Sequence, residues 1–333
     1  MKKVLLTTSA LTLLAGAAAA ESSVNLNGYA RIGISNSTAP VSATDSTKVG
    51  TTNFLRNRLT FTGSATSDGG LTLSTWQRVR HTSASSKFSG KSSFSAPNLS
   101  ISNGAMTLTL GNSVGAVSRN GGVFGCGAVM WGCDDLAGSG WATSSSEGTG
   151  PNIVRLDMAL GSASVSVSGG NGNDSEVAMS LPMGGGSVGI GYDAGSVTPA
   201  VASAASKAGA ADSVSGSGTS AVYVAGNSYT AAVTAVAEVA AKPTIHVGYS
   251  GSMAGLSVGV RVSQSDSKTG YVGNVSAPVG AGSVYVFAGK NLAQKNVYGL
   301  RYNQSLGGSV GMHAGMTSND GNTLVGAGVD FSF

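Results

Sequence analysis

Hydrophobic and polar residues alternate without a break over residues 323–333, at the end of the chain. Successive side chains of a β-strand point to opposite faces, so one face of this segment is apolar and ends on Phe331 and Phe333. A soluble protein rarely ends on an exposed Phe-x-Phe stripe. A strand that closes a barrel in a lipid bilayer needs an apolar outer face, so the pattern predicts such a strand.

The same period of two recurs along the chain in eighteen segments of the length that a membrane-spanning strand needs. They are 24–35, 55–62, 71–80, 86–102, 104–112, 151–160, 162–168, 174–181, 186–193, 219–226, 228–238, 244–250, 255–264, 270–277, 281–290, 296–305, 309–316 and 323–333. Alternation is least regular in 86–102 and in the pair 219–226 and 228–238. Backbone polar groups at a free sheet edge could not be satisfied in lipid, so we expect a closed, antiparallel, all-β barrel.

The links between segments alternate between long and short. Residues 36–51, 113–150 and 194–218 are long, whereas 66–69 and the single residues Gly161 and Asn227 are short. Bacterial barrels have short periplasmic turns and longer extracellular loops. The pattern therefore predicts that both chain termini lie on the periplasmic side.

The first twenty residues have the features of a secretory signal peptide. Lys2 and Lys3 precede an apolar stretch from Val4 to Leu14, which is shorter than a spanning helix, and Ala20 ends a small-residue cleavage site. We therefore expect residues 1–20 to be a signal peptide and residues 21–333 to form one barrel domain, exported to the outer membrane of a Gram-negative bacterium.

Composition supports a membrane barrel over most other classes. Charged residues make up 10% of the chain, against roughly 25% in soluble domains, while 41% of residues are hydrophobic. The net charge of +4 falls to +2 without Lys2 and Lys3, which does not indicate a nucleic-acid partner. A secreted β-solenoid or adhesin rich in Ser and Gly remains an alternative at this point.

The arginines fall on the polar register of the predicted strands. Because an arginine facing lipid at mid-bilayer costs about 2–4 kcal/mol, this register is expected to face the lumen. Five of them come from the first three strands, which are neighbours in an up-and-down barrel, and should make a positive wall. The alternative is that they are solvated lumen residues balanced by local acids such as Asp157. The lumen-facing arginines are Arg31, Arg56, Arg58, Arg78, Arg80, Arg155, Arg261 and Arg301.

The longest loop, 113–150, combines acids with aromatic residues that could anchor it to a barrel wall. If it folds inward, Asp134, Asp135 and Glu147 would face the arginines across a narrowed lumen, and fixed charges of this kind select ions and orient polar solutes. The alternative is a surface loop with solvated charges. Its two cysteines, Cys126 and Cys133, are expected to form a disulfide, because the protein is exported. A metal site is not expected, since no His or further Cys lies nearby, and a redox role is not expected, since the pair lacks the Cys-x-x-Cys spacing.

Several segments resemble the general porins of α-proteobacteria, the Rhodobacter type within the Gram-negative porins. They are VNLNGYARIGIS, RNRLTFTGSATSDGGLTLSTWQRVR, MTLTLGNSVGAV before the long loop, PNIVRLDMALGSASVSVSGG after it, and the terminal GAGVDFSF. The resemblance covers the mature chain except 194–240, which matches only in composition. It implies a 16-stranded homotrimeric barrel with the third extracellular loop folded inside. We therefore expect sixteen strands, with the eighteen segments counted above as the alternative.

By matching position, the resemblance implies site residues on both sides of the constriction. The basic wall would be Arg31, Arg56, Arg58, Arg78, Arg80 and Arg155, and the loop acids Asp134, Asp135 and Glu147. This chain departs from the family in having few loop acids and a pair of loop cysteines. The departure weighs against cation selectivity and against calcium at the loop carboxylates. No cofactor is expected, and calcium at those carboxylates is the alternative.

These features predict a water-filled channel for passive diffusion of small hydrophilic solutes and ions. A solute-specific channel for sugars or anions is the alternative. An outer-membrane barrel enzyme is a further one, although His81, His246 and His313 show no shared motif with a Ser and an acid. The expected partners are outer-membrane lipid, lipopolysaccharide and the insertion machinery, for which Phe333 resembles the C-terminal assembly signal.

Overall fold

The computed structural model describes residues 21–38, 50–83, 93–121, 152–170, 173–195, 213–215, 222–224 and 242–333. The expected signal peptide lies outside the described residues. So do Cys126, Cys133, Asp134, Asp135 and Glu147, all within the long loop.

The described chain is almost entirely β-strand. Its strands are β1 Glu21–Ser37, β2 Gly50–Thr66, β3 Thr72–Ser83, β4 Ser93–Phe94, β5 Asn98–Ser102, β6 Met106–Asn112, β7 Asn152–Leu160, β8 Ala163–Gly170, β9 Asn173–Met183, β10 Gly186–Asp193, β11 Ser213–Ser215, β12 Val222–Val224, β13 Thr244–Met253, β14 Leu256–Ser265, β15 Lys268–Val279, β16 Gly282–Lys290, β17 Asn296–Gly307, β18 Val310–Asn319 and β19 Asn322–Ser332. A short helix, α1, spans Ala116–Asn120. No helix in the described part of the chain is long and apolar enough to cross a membrane.

All described strands except β11 and β12 form one closed antiparallel barrel. Neighbours along the chain pair with each other, and β1 pairs with both β2 and β19, so the sheet has no free edge. The predicted closed barrel is confirmed, and the β-solenoid alternative is wrong.

The barrel has sixteen strands, so the number implied by the family resemblance is confirmed and the eighteen segments counted from alternation are two too many. Within 86–102, β4 and β5 both pair with β3 and count as one strand interrupted before Pro97, which has no N–H to donate. The pair 219–238 adds no barrel strand, since β10 hydrogen-bonds directly to β13. Of that pair, 222–224 is β12, which pairs only with β11, and 228–238 lies outside the described residues.

The chain divides into two compact units. One comprises the barrel, and the other is Ser196–Lys242. In the second unit the structure describes the two-stranded sheet of β11 and β12.

Burial alternates along the barrel strands as the period of two predicts. On β14, Val260 and Val262 are 54% and 42% exposed on the outer face, whereas Arg261 and Ser263 are both 0% exposed on the inner face. The outer faces elsewhere carry a belt of exposed aliphatic side chains, including Leu110, Val154, Val167, Val177, Ile190, Ile245, Val247, Val275, Val286 and Leu300. An apolar outside and a polar inside are what a strand between hydrocarbon and water requires.

The last residue completes the closure. The Phe333 N–H donates to the Gly28 carbonyl at 2.9 Å, and the Gly28 N–H donates to the Phe333 carbonyl at 2.7 Å. The Phe333 ring, 60% exposed on the outer face, lies over Gly28, where a Cβ atom would come within 2.4 Å of the ring. Gly28 therefore provides the space in which the terminal ring rests.

The two ends of the barrel differ. At the end that carries both termini, every described connection between consecutive strands is a short turn, as at 184–185 and 254–255. At the opposite end long connections occur in the first part of the chain, while 266–267, 291–295 and 320–321 are short. The rim opposite the termini therefore carries short connections, and not long loops, over β14–β19.

Candidate functional site

Five of the six arginines predicted to line one wall lie side by side on the inner faces of β1–β3. Arg31 stands directly opposite Arg56, and Arg58 stands opposite Arg80. Arg78 lies two residues from Arg80 on the same face of β3. Like charges directly opposite each other on a sheet are destabilising, so this arrangement needs compensation from neighbouring groups.

Tyr29 supplies part of that compensation. Its ring centroid lies 4.3 Å from the Arg58 guanidinium carbon and 5.8 Å from that of Arg31. Its hydroxyl accepts a long hydrogen bond from Arg56 Nη1 at 3.5 Å. The ring attracts the cations through its quadrupole, so one tyrosine holds three guanidinium groups in place.

Arg78 rests on an aromatic ring in the same way. The Arg78 guanidinium lies 5.0 Å from the ring of Trp76, which precedes it by two positions on β3. Because residues two apart share a face of a strand, an aromatic residue followed by x-Arg is a sequence signal for this stacking. Tyr29-x-Arg31 and Trp76-x-Arg78 both show it.

The positive surface continues across the closure between β19 and β1. Asp330 stands directly opposite Arg31, and its carboxylate lies 3.3 Å from His313 Nδ1. Arg301, on β17 beside His313's strand, lies 5.7 Å from the ring of Tyr285 on β16. Sequence reasoning placed Arg301 on the inner face but did not join it to the other arginines. We call the whole set the arginine strip; its members are Arg31, Arg56, Arg58, Arg78, Arg80 and Arg301.

Arg155 does not belong to this strip, although it was predicted in the same wall. It lies on β7, with β5 and β6 between it and β3. Its Nε forms an ion pair with Asp157 at 3.0 Å, and its Nη1 donates to Ser113 Oγ at 2.7 Å and to the Val114 carbonyl. Arg155 is thus neutralised locally and holds the beginning of the long loop.

That beginning lies against the inner faces of β8–β10. The Val117 N–H donates to Glu176 Oε2 and the Ala116 N–H to Ser168 Oγ, both at 2.8 Å. Asn120 Nδ2 donates to Ser166 Oγ at 2.7 Å. The loop is therefore fastened inside the barrel as far as Gly121, beyond which it lies outside the described residues.

Small residues make room for this contact. A Cβ atom on Gly115 would fall within 2.2 Å of the Glu176 carboxylate, and one on Gly191 of β10 would meet the Val117 side chain at 3.0 Å. Ala178, 2% exposed, packs with Ala116 and Val117. The inner wall is shaped to hold α1.

A second buried polar group lies on β13 and β14. Arg261 donates to Ser263 Oγ at 3.1 Å, and His246 Nδ1 lies 2.8 Å from the same oxygen and 2.9 Å from Arg261 Nη2. These three side chains are at most 1% exposed. The geometry is that of a structural network in the wall, and within the described ranges no group of three His, Cys, Asp or Glu side chains could hold a metal ion.

The described inner surface is electrically asymmetric. The arginine strip contains six guanidinium groups with Asp330 as the acid between them. The opposing part of the wall, on β7–β9, carries Arg155 with the carboxylates of Asp157 and Glu176. A polar, charged interior inside an apolar, sixteen-stranded closed barrel defines a transmembrane β-barrel of the channel-forming type.

Comparison with known proteins agrees with this class. The family model of the Gram-negative porins matches residues 7–324, and the chain belongs to that family. No curated protein sequence matches it.

The similar solved structures are porins of low sequence identity. A triple mutant of the Rhodopseudomonas blastica porin has a TM-score of 0.65 at 14% identity, covering 93% of this chain and 100% of its own. Another mutant of the same porin has a TM-score of 0.64 at 15% identity with the same coverage. At this identity the likeness shows the fold, and the family match shows an outer-membrane porin channel.

Proposed function

We propose that this porin lets small hydrophilic solutes and ions diffuse passively through its lumen and that it favours anions. The arginine strip carries the proposal. It places six cations along one side of the inner wall with a single acid, Asp330, between them. Rings or clusters of arginine are the usual means by which a pore favours anions.

The mechanism is size exclusion combined with a transverse field. The strip faces a wall in which Arg155 is neutralised by Asp157 and Glu176 adds negative charge. A polar solute entering the lumen orients its dipole in this field and is stabilised by it. An apolar solute loses contacts with water and gains no electrostatic interaction in return. The proposal extends to the remainder of the loop, where Asp134, Asp135 and Glu147 would face the strip and a Cys126–Cys133 disulfide would stiffen the loop.

A sugar-specific channel is less well supported than an anion-preferring one. Sugar pathways use open aromatic faces, but Tyr29, Trp76 and Tyr285 each carry an arginine guanidinium within 6 Å of the ring. Phe287 is 3% exposed. Among the described residues, the inner aromatic side chains therefore position cations rather than form a track for a sugar.

Planar-bilayer recording tests the function. Refolded protein should give stable, stepwise channels, and the reversal potential in a potassium chloride gradient should have the sign of chloride preference. A reversal potential of the opposite sign would refute the anion preference while leaving the channel intact. An absence of stepwise channels would refute the channel itself.

We also propose a homotrimer whose contacts involve the outer faces of β1–β3. Asn53 and Asn57 are exposed on the outer register of β2, beside the apolar Leu55 and Leu59. Thr51 lies on the same outer register and accepts a hydrogen bond from Asn36 of β1 at 2.9 Å. Amide groups facing hydrocarbon would be costly, so a protein partner is the better neighbour. An Asn57→Trp variant should lower the fraction of trimer on an unheated gel, because the larger side chain would clash with the neighbouring protomer. An Ile245→Trp control on the aliphatic belt should keep the wild-type fraction, and an equal effect of both substitutions would contradict this interface.

Export and assembly complete the proposal. Residues 1–20 are expected to direct export and to be absent from the mature protein, which mass spectrometry of the purified chain would reveal. Phe333 is proposed as the signal for membrane insertion. Its deletion should lower the amount of inserted protein more than the conductance of each channel, and normal insertion without it would remove that role.

A further inference from the structure

The outer surface carries one charged side chain that its surroundings do not explain. Among the Lys, Arg, Asp and Glu side chains that the structure describes on barrel strands, only Lys290 falls on the outer register. It follows Val286 and Ala288 on the outward face of β16, where Val286 is 45% exposed. A cation facing hydrocarbon is unfavourable, so its position requires an anionic or aqueous neighbour.

Lys290 lies at the rim opposite the two chain termini. It is the last residue of β16 and stands directly opposite Tyr271 of β15 and Asn296 of β17. Tyr271 is 53% exposed, and Tyr298, two residues beyond Asn296 on β17 toward the middle of the membrane, is 46% exposed. Exposed tyrosines on an outer face mark the level of the lipid headgroups. The Lys290 ammonium is therefore at the depth of headgroup phosphates.

The nearby acid does not neutralise Lys290. Asp320, in the turn between β18 and β19, lies 3.9 Å from Lys295, and both side chains are about half exposed. Lys290 itself makes no ion pair with any residue that the structure describes. Its charge is available to a ligand from the membrane.

Small residues follow Lys290 toward the middle of the membrane. Ala288 and Gly273 stand opposite each other on the outer faces of β16 and β15, with Tyr271 beside Lys290 and Tyr298 beside Ala288. A Cβ atom placed on Gly273 would meet nothing nearer than 3.9 Å, so the space above this glycine is open. Beyond these small residues the outer face continues as Val275, Val286 and Leu300, all exposed.

From this arrangement we infer a lipid-binding site on the outer face of β15–β17. A headgroup phosphate pairs with Lys290, and Asn296 can donate a further hydrogen bond. An acyl chain lies along Gly273 and Ala288 between the two tyrosines. The occupant is a phosphate-bearing lipid of the leaflet at this rim, of the lipid A type. This inference rests on the outer-membrane location and orientation proposed above.

Native mass spectrometry of the detergent-purified protein tests the site with bisphosphorylated lipid A as the probe. The Lys290→Gln variant should bind it about five-fold more weakly than the wild type, the loss expected for one lysine at a lipid surface. Lys290→Arg should retain binding. Lys268→Gln is the matched control, since it removes an exposed cation from the inner register at the same rim. Enzymatically dephosphorylated lipid A should bind wild type and Lys290→Gln equally.

The outcomes separate this site from the channel function. Equal binding of lipid A by wild type and Lys290→Gln, or an equal loss in Lys268→Gln, would overturn the site. Inorganic phosphate can be added as a competitor of lipid A. If it weakened lipid A binding as strongly in Lys290→Gln as in the wild type, the protein would contact the lipid phosphate at a residue other than Lys290. All variants should keep wild-type single-channel conductance, because Lys290 is outside the lumen. A failure of the channel proposal would show instead in the wild-type recordings.

Discussion

Replacing Arg56 and Arg58 together by Ala should weaken the anion preference more than any other change on a single strand. Both residues lie on β2, between Arg31 of β1 and Arg80 of β3, so they occupy the middle of the arginine strip. The substitution removes two of the six cations and leaves the strand register intact, because the hydrogen bonds of β2 are made by its backbone.

The size of the effect follows from Coulomb's law. An ion passing about 6 Å from one guanidinium in water interacts with it by about 0.7 kcal/mol. Salt at about 0.1 M reduces this to about 0.4 kcal/mol, since the Debye length is about 10 Å. The interaction favours an anion and disfavours a cation equally. Two arginines therefore change the anion-to-cation difference by about 1.5 kcal/mol, a roughly ten-fold change in permeability ratio.

Reversal potentials in a potassium chloride gradient measure this ratio directly. The double variant should shift toward non-selectivity, and the shift should shrink as the salt concentration rises. The matched control is Lys268→Ala with Lys295→Ala, which removes two exposed cations at the rim and should change the ratio far less. An unchanged reversal potential in the Arg56 and Arg58 variant, or an equal shift in the control, would refute the role of the strip.

Two further variants test the loop contact and the closure. Glu176→Ala removes the charge-assisted hydrogen bond that Glu176 accepts from the Val117 N–H, which is worth about 1.5–3 kcal/mol. The beginning of the long loop should then be held less firmly against the inner wall, so single-channel conductance and current noise should rise. Glu176→Gln should stay near wild type, and wild-type conductance and noise in Glu176→Ala would argue against the contact. Gly28→Ala should lower the folded fraction on an unheated gel, because its Cβ would lie 2.4 Å from the Phe333 ring, whereas Gly63→Ala, with its nearest neighbour at 3.4 Å, should not. Equal folding of the two glycine variants would show that the ring can move without cost.

Local alternation predicted most of the fold, but it failed where pairing decides the outcome. Residues 219–226 alternate like a barrel strand, yet β12 within them pairs with β11, and β10 pairs with β13 instead. Alternation reports which face a side chain would occupy if the segment were a strand. It carries no information about which strand becomes its neighbour, so alternation alone counted eighteen segments where the barrel has sixteen strands.

The candidate site shows the same division. Arg31 and Arg56 were placed together from sequence because consecutive strands are joined by a link and must be neighbours. Arg301 was not joined to them, because its proximity depends on β19 pairing with β1. Arg155 has the same inward register but is separated from the strip, since β5 and β6 intervene.

What the sequence determined by itself was the membrane barrel, the inward arginines and the outward Phe333. Each of these depends on a period of two that is set within a few residues by the geometry of the extended chain. What only the tertiary structure decided was which segments pair as barrel strands, the extent of the arginine strip and the position of α1 against β8–β10. These depend on hydrogen bonds and contacts between residues far apart in the chain, such as Arg31 opposite Asp330 and Val117 on Glu176, which no local pattern encodes.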